Sequence, residues 1–140
     1  MPRSTRRFGS AMLAVDTNVI VRYIADDDPE QSQRARTLVD HNLIFVPMTV
    51  LLETVWVLRR ARGYAQREVA KALREFAGLP NVSIEDPHRA SRALDWVDQG
   101  LEFADALHLA ASEGCSAFAT FDAQLLKMAK KATGIPVKPV

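Results

Sequence analysis

The sequence predicts an α/β fold in which a mostly parallel sheet is flanked by helices. Apolar runs of three or four residues alternate with longer amphipathic runs, and these two patterns indicate buried strands and helices. Turn and cap residues such as Pro47, Gly63 and Asp86 separate the runs. Strands that alternate with helices are joined by right-handed crossovers, so the strands of such a sheet run parallel.

The first half of the chain predicts two strands and four helices. Pro29 suits the first turn of a helix, where its missing N–H is not needed. Thr49 is placed to cap the third helix, and Gly63 is placed to end it. In the fourth helix, the apolar residues within 69–76 recur on one face. The elements are strand Met12–Val15, helix Thr17–Ala25, helix Pro29–Asp40, strand Leu43–Val46, helix Val50–Arg62 and helix Ala65–Ala77.

The second half repeats the alternation, with stop signals between the elements. Gly78 and Pro80 end the preceding helix, Asp86 and Pro87 open the next, and Gly114 closes the one that follows. The elements are strand Val82–Ile84, helix His88–Gln99, helix Glu102–Glu113, strand Ala117–Thr120, helix Asp122–Ala132 and an edge strand at Ile135–Val137.

Length and composition indicate one globular domain. Of 140 residues, 48% are hydrophobic and 25% charged, which is ordinary globular usage, and the net charge of +1 excludes a strong polycation. The single cysteine, Cys115, excludes an internal disulfide and a zinc site of paired cysteines. Asp16 and Arg22 interrupt the apolar stretch 11–24, so we expect a cytoplasmic protein without a secretion signal or membrane span.

Acidic residues follow two of the predicted strands. Asp16 comes directly after the first strand and Asp122 after the fourth. Taken singly, each could be the N-cap of the next helix. Because ligands of a parallel sheet bind beyond the carboxyl ends of its strands, the two together predict a site at that edge.

Two further acids lie in apolar helices. Glu53 stands within 50–58 and Asp105 within 103–111, where most neighbours are apolar. An ionised carboxylate is rarely buried unless it is paired or binds a metal. The alternatives are a salt bridge for Glu53 and a favourable interaction of Asp105 with its helix N-terminus.

Convergence of four carboxylates would require a cation. At a separation of about 4 Å, each pair would repel by about 4 kcal/mol at an effective dielectric constant near 20. Oxygen ligands suit Mg²⁺ or Mn²⁺, and lysine or arginine counter-ions are the alternative. Glu102 and His108 each lie three residues from Asp105 and are auxiliary candidates.

Four segments carry these acids in a fixed order. They are Leu13–Ile20, Leu52–Leu58, Phe103–Ala110 and Ala119–Asp122. In that order and spacing they resemble PIN-domain ribonucleases, in particular the VapC-like toxins of bacterial toxin–antitoxin pairs.

The resemblance implies a sheet of about five parallel strands, dependence on Mg²⁺ or Mn²⁺, cleavage of RNA, a homodimer and an inhibitory antitoxin protein. The implied catalytic and metal-binding residues are Asp16, Glu53, Asp105 and Asp122, with Asn18 and Thr120 as supporting polar groups.

The resemblance covers residues 12–140 and leaves 1–11 as an N-terminal extension. Such toxins commonly begin a few residues before the first aspartate, so we expect Met12 to be the natural start. The alternative is a basic arm in which Arg3, Arg6 and Arg7 contact phosphates.

The reaction consistent with these residues is metal-assisted hydrolysis of a phosphodiester, in which an activated water attacks phosphorus in line. The expected products carry 5′-phosphate and 3′-hydroxyl ends.

Two basic clusters either hold the RNA backbone or form solvated helix faces. Their members are Arg59, Arg60, Arg62, Arg67, Lys71, Arg74, and Lys127, Lys130, Lys131.

Two other functions remain open at the level of sequence. A receiver-like phosphoacceptor domain would use Asp16, Asp86 and the pair Lys138-Pro139, but it would not explain Glu53 or Asp105. A non-catalytic partner-binding module would keep the acids as structural ion pairs.

A groove for an antitoxin segment is also predicted between the third and fourth helices, unless their apolar residues face the core or a second copy of the chain. Those residues are Leu51, Val55, Trp56, Leu58, Val69, Leu73 and Phe76.

Overall fold

The computed structural model describes residues 12–140, and the predicted N-terminal extension lies outside the described residues. The α/β class and the parallel pairing of strands are confirmed. The chain forms two compact units, of which the first ends at Glu85 and the second begins at Asp86. Among the described helices, none has the length and apolar character needed to cross a bilayer.

The first unit contains a three-stranded parallel sheet. Strand β2, Leu43–Val46, lies between β1, Met12–Ala14, and β3, Val82–Ile84. Three of the four β2 side chains are buried, as expected for the central strand of a covered sheet. The helices of this unit are α1 (Thr17–Ala25), α2 (Pro29–Asp40), α3 (Met48–Trp56) and α4 (Gln66–Ala77).

The start of α3 differs from the prediction. It begins at Met48, directly after Pro47, and makes no side-chain cap hydrogen bond, so the predicted cap by Thr49 is wrong. Instead the Met48 N–H donates to Oε1 of Glu85 at 2.8 Å. The residue that satisfies this helix end is thus 37 positions away in sequence, which a local cap pattern does not reveal.

The end of α3 is also distinctive. A π-helical turn, Val57–Ala61, continues the helix, and the Arg62 N–H donates to the Val57 carbonyl at 3.2 Å. Gly63 then adopts a positive φ of 71° and ends the helix, as predicted. Arg62 forms an ion pair with Asp27, which ties this turn to the loop after α1.

The second unit contains a two-stranded parallel sheet of β4, Phe118–Thr120, and β5, Val137–Pro139. The edge strand predicted at 135–137 lies two residues later, because its pairing with β4 begins at Val137. The Phe118 N–H donates to the Pro136 carbonyl at 2.8 Å, and Ile135 is buried before the ladder starts. The helices are α5 (Pro87–Asp98), α6 (Phe103–Ala111) and α7 (Ala123–Ala132). Helices α5 and α6 pack closely on each other.

Candidate functional site

The four predicted acids are divided equally between the two units. Asp16 and Glu53 lie in the first unit, and Asp105 and Asp122 lie in the second. Asp16 follows β1 and Asp122 follows β4, as the sequence predicts.

Asp16 is the N-cap of α1. Its Oδ1 accepts a hydrogen bond from the Thr17 N–H at 2.7 Å. The Asp16 side chain remains exposed, so capping does not remove it from solvent. Its predicted role as a cap is therefore confirmed, and this role leaves the carboxylate accessible.

Thr17 connects Asp16 to Glu53. The Thr17 hydroxyl is buried and donates to Oε1 of Glu53 at 2.6 Å. A charge-assisted hydrogen bond of this length restricts the orientation of the carboxylate. Thr17 was not among the predicted site residues, although its position between Asp16 and Asn18 is the signal that could have identified it.

Glu53 is exposed, contrary to the expectation from its apolar neighbours in sequence. Leu51 and Val55 are buried, so the apolar residues of α3 face the core while Glu53 lies on the opposite face. The residue is thus held by Thr17 at the surface and is not a charge enclosed in the core.

Asp122 is the N-cap of α7. Its Oδ1 accepts hydrogen bonds from the N–H groups of Gln124 and Leu125, both at 3.0 Å. Thr120 assists, because its Oγ1 accepts from the Asp122 N–H at 3.0 Å. Both capping bonds use Oδ1, so the second carboxylate oxygen takes part in neither.

Asp105 is half-buried in the first turn of α6. Burial raises the pKa of its carboxyl, and repulsion from Asp122 and Glu102 raises it further. Attraction to His108 opposes these effects. Asp122, Glu102 and His108 therefore act on the charge of Asp105 within the second unit. Glu102 and His108 are exposed.

Asn18 lies on the exposed side of α1 and lines a cleft of about 420 Å³ between α1 and α2. Arg22 and Arg34 contribute cationic groups to the same cleft. Arg22 also pairs with Asp27 at 2.9 Å, so part of its charge is already compensated.

The first basic cluster is divided between structural and exposed residues. Arg59 donates to the Tyr64 carbonyl at 3.3 Å, and Arg62 pairs with Asp27. In contrast, Arg60, Arg67 and Lys71 are exposed and available to bind an anion.

The predicted groove between α3 and α4 has little exposed apolar surface. Six of its seven apolar side chains are buried, which is the alternative in which they face the core. Trp56 is the exception and is 58% exposed.

Asp86, the phosphoacceptor that the receiver-like alternative would use, is a helix cap. Asp86 caps α5 by accepting from the Arg89 N–H at 3.2 Å, and it pairs with the Arg89 side chain at 3.5 Å. This structural role accounts for Asp86 without phosphotransfer.

The donor chemistry of the four acids suits a hard divalent cation, because every candidate atom is a carboxylate oxygen. Within neither unit, over residues 12–140, do three His, Cys, Asp or Glu side chains form a metal-binding group.

Comparisons with known proteins match most of the chain to one family model. The family model described as PIN domain matches residues 13–131, a segment that includes all four acids. The curated proteins give no significant match. Among solved structures, VapBC2 from Rickettsia felis, crystallised with a DNA fragment from their promoter, has a TM-score of 0.39 and 13% identity. That match covers 92% of this chain and 98% of the other.

Proposed function

This chain belongs to the PIN domain family, and we propose that it is a metal-dependent endoribonuclease that acts as the toxin of a toxin–antitoxin pair. Family membership supports a nuclease that hydrolyses phosphodiester bonds. The finer assignment, to RNA and to a VapC-like toxin, rests on the four motifs that contain Asp16, Glu53, Asp105 and Asp122.

The observation that carries the proposal is the hydrogen bond of 2.6 Å from Thr17 to Glu53 beside Asp16. A buried hydroxyl here holds an exposed carboxylate in one orientation. This is the arrangement expected of a metal ligand that must be fixed before the metal binds. A helix that needed only solubility at this face would not require that bond.

In the proposed site, Asp16, Glu53, Asp105 and Asp122 hold Mg²⁺ or Mn²⁺. When bound, the metal lowers the pKa of a water molecule and stabilises the oxygen that leaves phosphorus. Thr17 orients Glu53, and Thr120 orients the backbone of Asp122. Burial raises the pKa of Asp105, so a proton competes with the metal for this carboxylate more than it does at an ordinary aspartate.

The proposed partners are an RNA substrate, a cognate antitoxin protein and a second copy of the chain, all in the cytoplasm. These assignments come from the motif resemblance. An antitoxin residue that blocks the site would most simply be an arginine, because a guanidinium pairs with carboxylates through two parallel hydrogen bonds. Co-expression with the product of a small neighbouring gene, followed by co-purification and a cleavage assay, tests the inhibitory partner.

The function is tested by incubating the purified full chain with end-labelled single-stranded RNA. Cleavage should require Mg²⁺ or Mn²⁺, stop with excess EDTA and leave 5′-phosphate ends. Asp16→Asn and Glu53→Gln should abolish it. Glu30→Gln, which makes the same kind of change at an exposed acid in the first turn of α2, is the matched control and should cleave normally. Cleavage that persists in EDTA would contradict the metal mechanism.

A further inference from the structure

Two exposed aromatic side chains stand beside proposed catalytic acids. Trp56 is 58% exposed and lies three residues after Glu53 in the sequence, while Phe121 is 87% exposed and lies between Thr120 and Asp122. Every other aromatic side chain within residues 12–140 is buried or half-buried. The exposed aromatic surface of the described chain is therefore concentrated next to the candidate acids.

The face of α3 that carries Glu53 continues past Trp56. Thr49, Glu53, Trp56 and Arg60 are all exposed and follow one another at intervals of four, three and four residues. The first two intervals place Thr49, Glu53 and Trp56 on one side of α3, and Arg60 follows Trp56 by four residues in the π-helical turn. We call these four residues the exposed stripe.

We propose that Trp56 is a platform on which an unpaired base of single-stranded RNA stacks, and that Arg60 contacts a phosphate of the same strand. This inference rests on the proposed function, because it concerns how the substrate of that site is held. Its substrate is the single-stranded RNA with which that function is tested, whose bases are free to stack on a ring, whereas bases within a duplex are already stacked on each other.

The electrostatics of the site favour such contacts. Carboxylates near the cleaved phosphate repel the polyanionic backbone, which weakens binding that depends on charge alone. Stacking on an aromatic ring supplies affinity that does not depend on charge, because every base has a π face. Arg60, at the far end of the exposed stripe from Thr49, supplies the cation that offsets the repulsion.

The exposed stripe fits a base better than a protein surface. Trp56 is its single large apolar residue and is flanked by Glu53 and Arg60, while its apolar neighbours are buried (Leu51, Val55 and Leu58) or half-buried (Leu52 and Val57). A stable protein interface needs roughly 800 Å² from each partner with an apolar centre. One tryptophan between two charged side chains provides an apolar surface the size of one aromatic ring, which suits a single base and is too small for a protein interface.

The first experiment measures RNA affinity in EDTA, where cleavage is absent under the proposed mechanism. Trp56→Leu keeps an apolar side chain but removes the ring, and it should raise the Kd for a single-stranded RNA of mixed sequence roughly 5- to 150-fold. Trp56→Phe should retain most of the affinity. Met12→Ala, at an exposed apolar residue at the start of β1, is the control and should leave the Kd unchanged.

The second experiment follows tryptophan emission during the same titration. The protein has two tryptophans, and Trp96 is buried at 7% exposure. RNA should quench the wild-type emission, and an abasic ribose-phosphate chain should not. In Trp56→Phe, which keeps only Trp96, the quenching should disappear.

The outcomes separate this inference from the proposed function. If wild-type protein cleaves RNA but Trp56→Leu binds it with unchanged Kd, stacking is overturned and the nuclease proposal stands. If wild-type protein does not cleave, the nuclease proposal fails, and the Kd and quenching results decide stacking by themselves. If Trp56→Leu changes the oligomeric state of the protein in solution but binds RNA with unchanged Kd, Trp56 belongs to a contact between copies and the inference is overturned.

Discussion

The Thr17 hydroxyl donates to Oε1 of Glu53 at 2.6 Å, and this bond joins the first turn of α1 to the exposed face of α3. Asp16, one residue earlier, caps α1. One short segment therefore both starts a helix and orients an acid on a different helix.

Thr17→Val removes this bond while keeping nearly the same shape at a buried position. We expect RNA cleavage and the affinity for Mn²⁺ to fall roughly 10- to 100-fold, as is typical when a group that orients a metal ligand is lost. Steady-state cleavage and a Mn²⁺ titration measure the two effects. Thr17→Ser keeps the hydroxyl and should retain most activity. Equal activity of the valine and serine variants would show that orientation of Glu53 is unimportant.

Metal binding should stabilise the folded protein. For a Kd of roughly 1 mM, adding 10 mM Mn²⁺ contributes about 1.4 kcal/mol by mass action, which for a chain of this size raises the Tm by roughly 3–6 °C. Differential scanning calorimetry with and without EDTA measures the shift. Glu53→Gln should reduce it and Glu30→Gln should not. The same rise in wild-type protein and in Glu53→Gln would exclude Glu53 as a ligand.

The sequence predicts most of this fold because its start and stop signals are local. Helices α1 and α2 begin and end where predicted, since Asp16, Asp28 and Pro29 act within a few residues of the helix ends they define. The start of α3 was missed because its first N–H is satisfied by Glu85 from the end of β3. A contact across 37 residues leaves no local pattern.

The places of Asp16 and Asp122 after their strands were predictable from sequence, whereas the exposure of Glu53 was not. Strand ends located Asp16 and Asp122 correctly, because topology alone places them. The apolar composition around Glu53 suggested burial, whereas helical periodicity puts it on the same face as the exposed residues Thr49 and Trp56. Average composition therefore misled where the phase of the helix would have given the right answer.

Two neighbouring arginines offer a test of structural against RNA-binding roles. Arg62 pairs with the partly exposed Asp27, so Arg62→Ala should lower the free energy of unfolding by about 1 kcal/mol or less. Arg60 is exposed, so Arg60→Ala should leave stability unchanged. It should instead reduce the slope of log K against log salt for single-stranded RNA by about 0.7. Urea unfolding measures the stability, and RNA titrations at several salt concentrations measure the slope. A loss of stability in Arg60→Ala together with a reduced slope in Arg62→Ala would contradict these assignments.

Asp105→Asn separates a metal ligand from a structural acid. The pKa of Asp105 is raised above 3.8, first by burial and then by repulsion from Asp122 and Glu102. The folded state thus binds this proton more tightly than the unfolded state, so its ionisation costs stability as the pH rises above 3.8. The penalty is fully present above the raised pKa and absent below 3.8. Asparagine carries no charge, so without metal the variant should be as stable as wild type or more stable at pH 7.

The advantage of Asp105→Asn should shrink as the pH falls toward 3.8, because wild-type Asp105 then becomes neutral as well. Urea unfolding in EDTA across this range measures the trend. Glu102→Gln removes one repelling charge and should lower the pKa of Asp105, which carboxyl NMR can follow. RNA cleavage by Asp105→Asn should be lost at every pH, since a neutral amide cannot replace a carboxylate ligand of Mg²⁺. A variant that is less stable than wild type at pH 7 and still cleaves RNA would identify Asp105 as a structural residue.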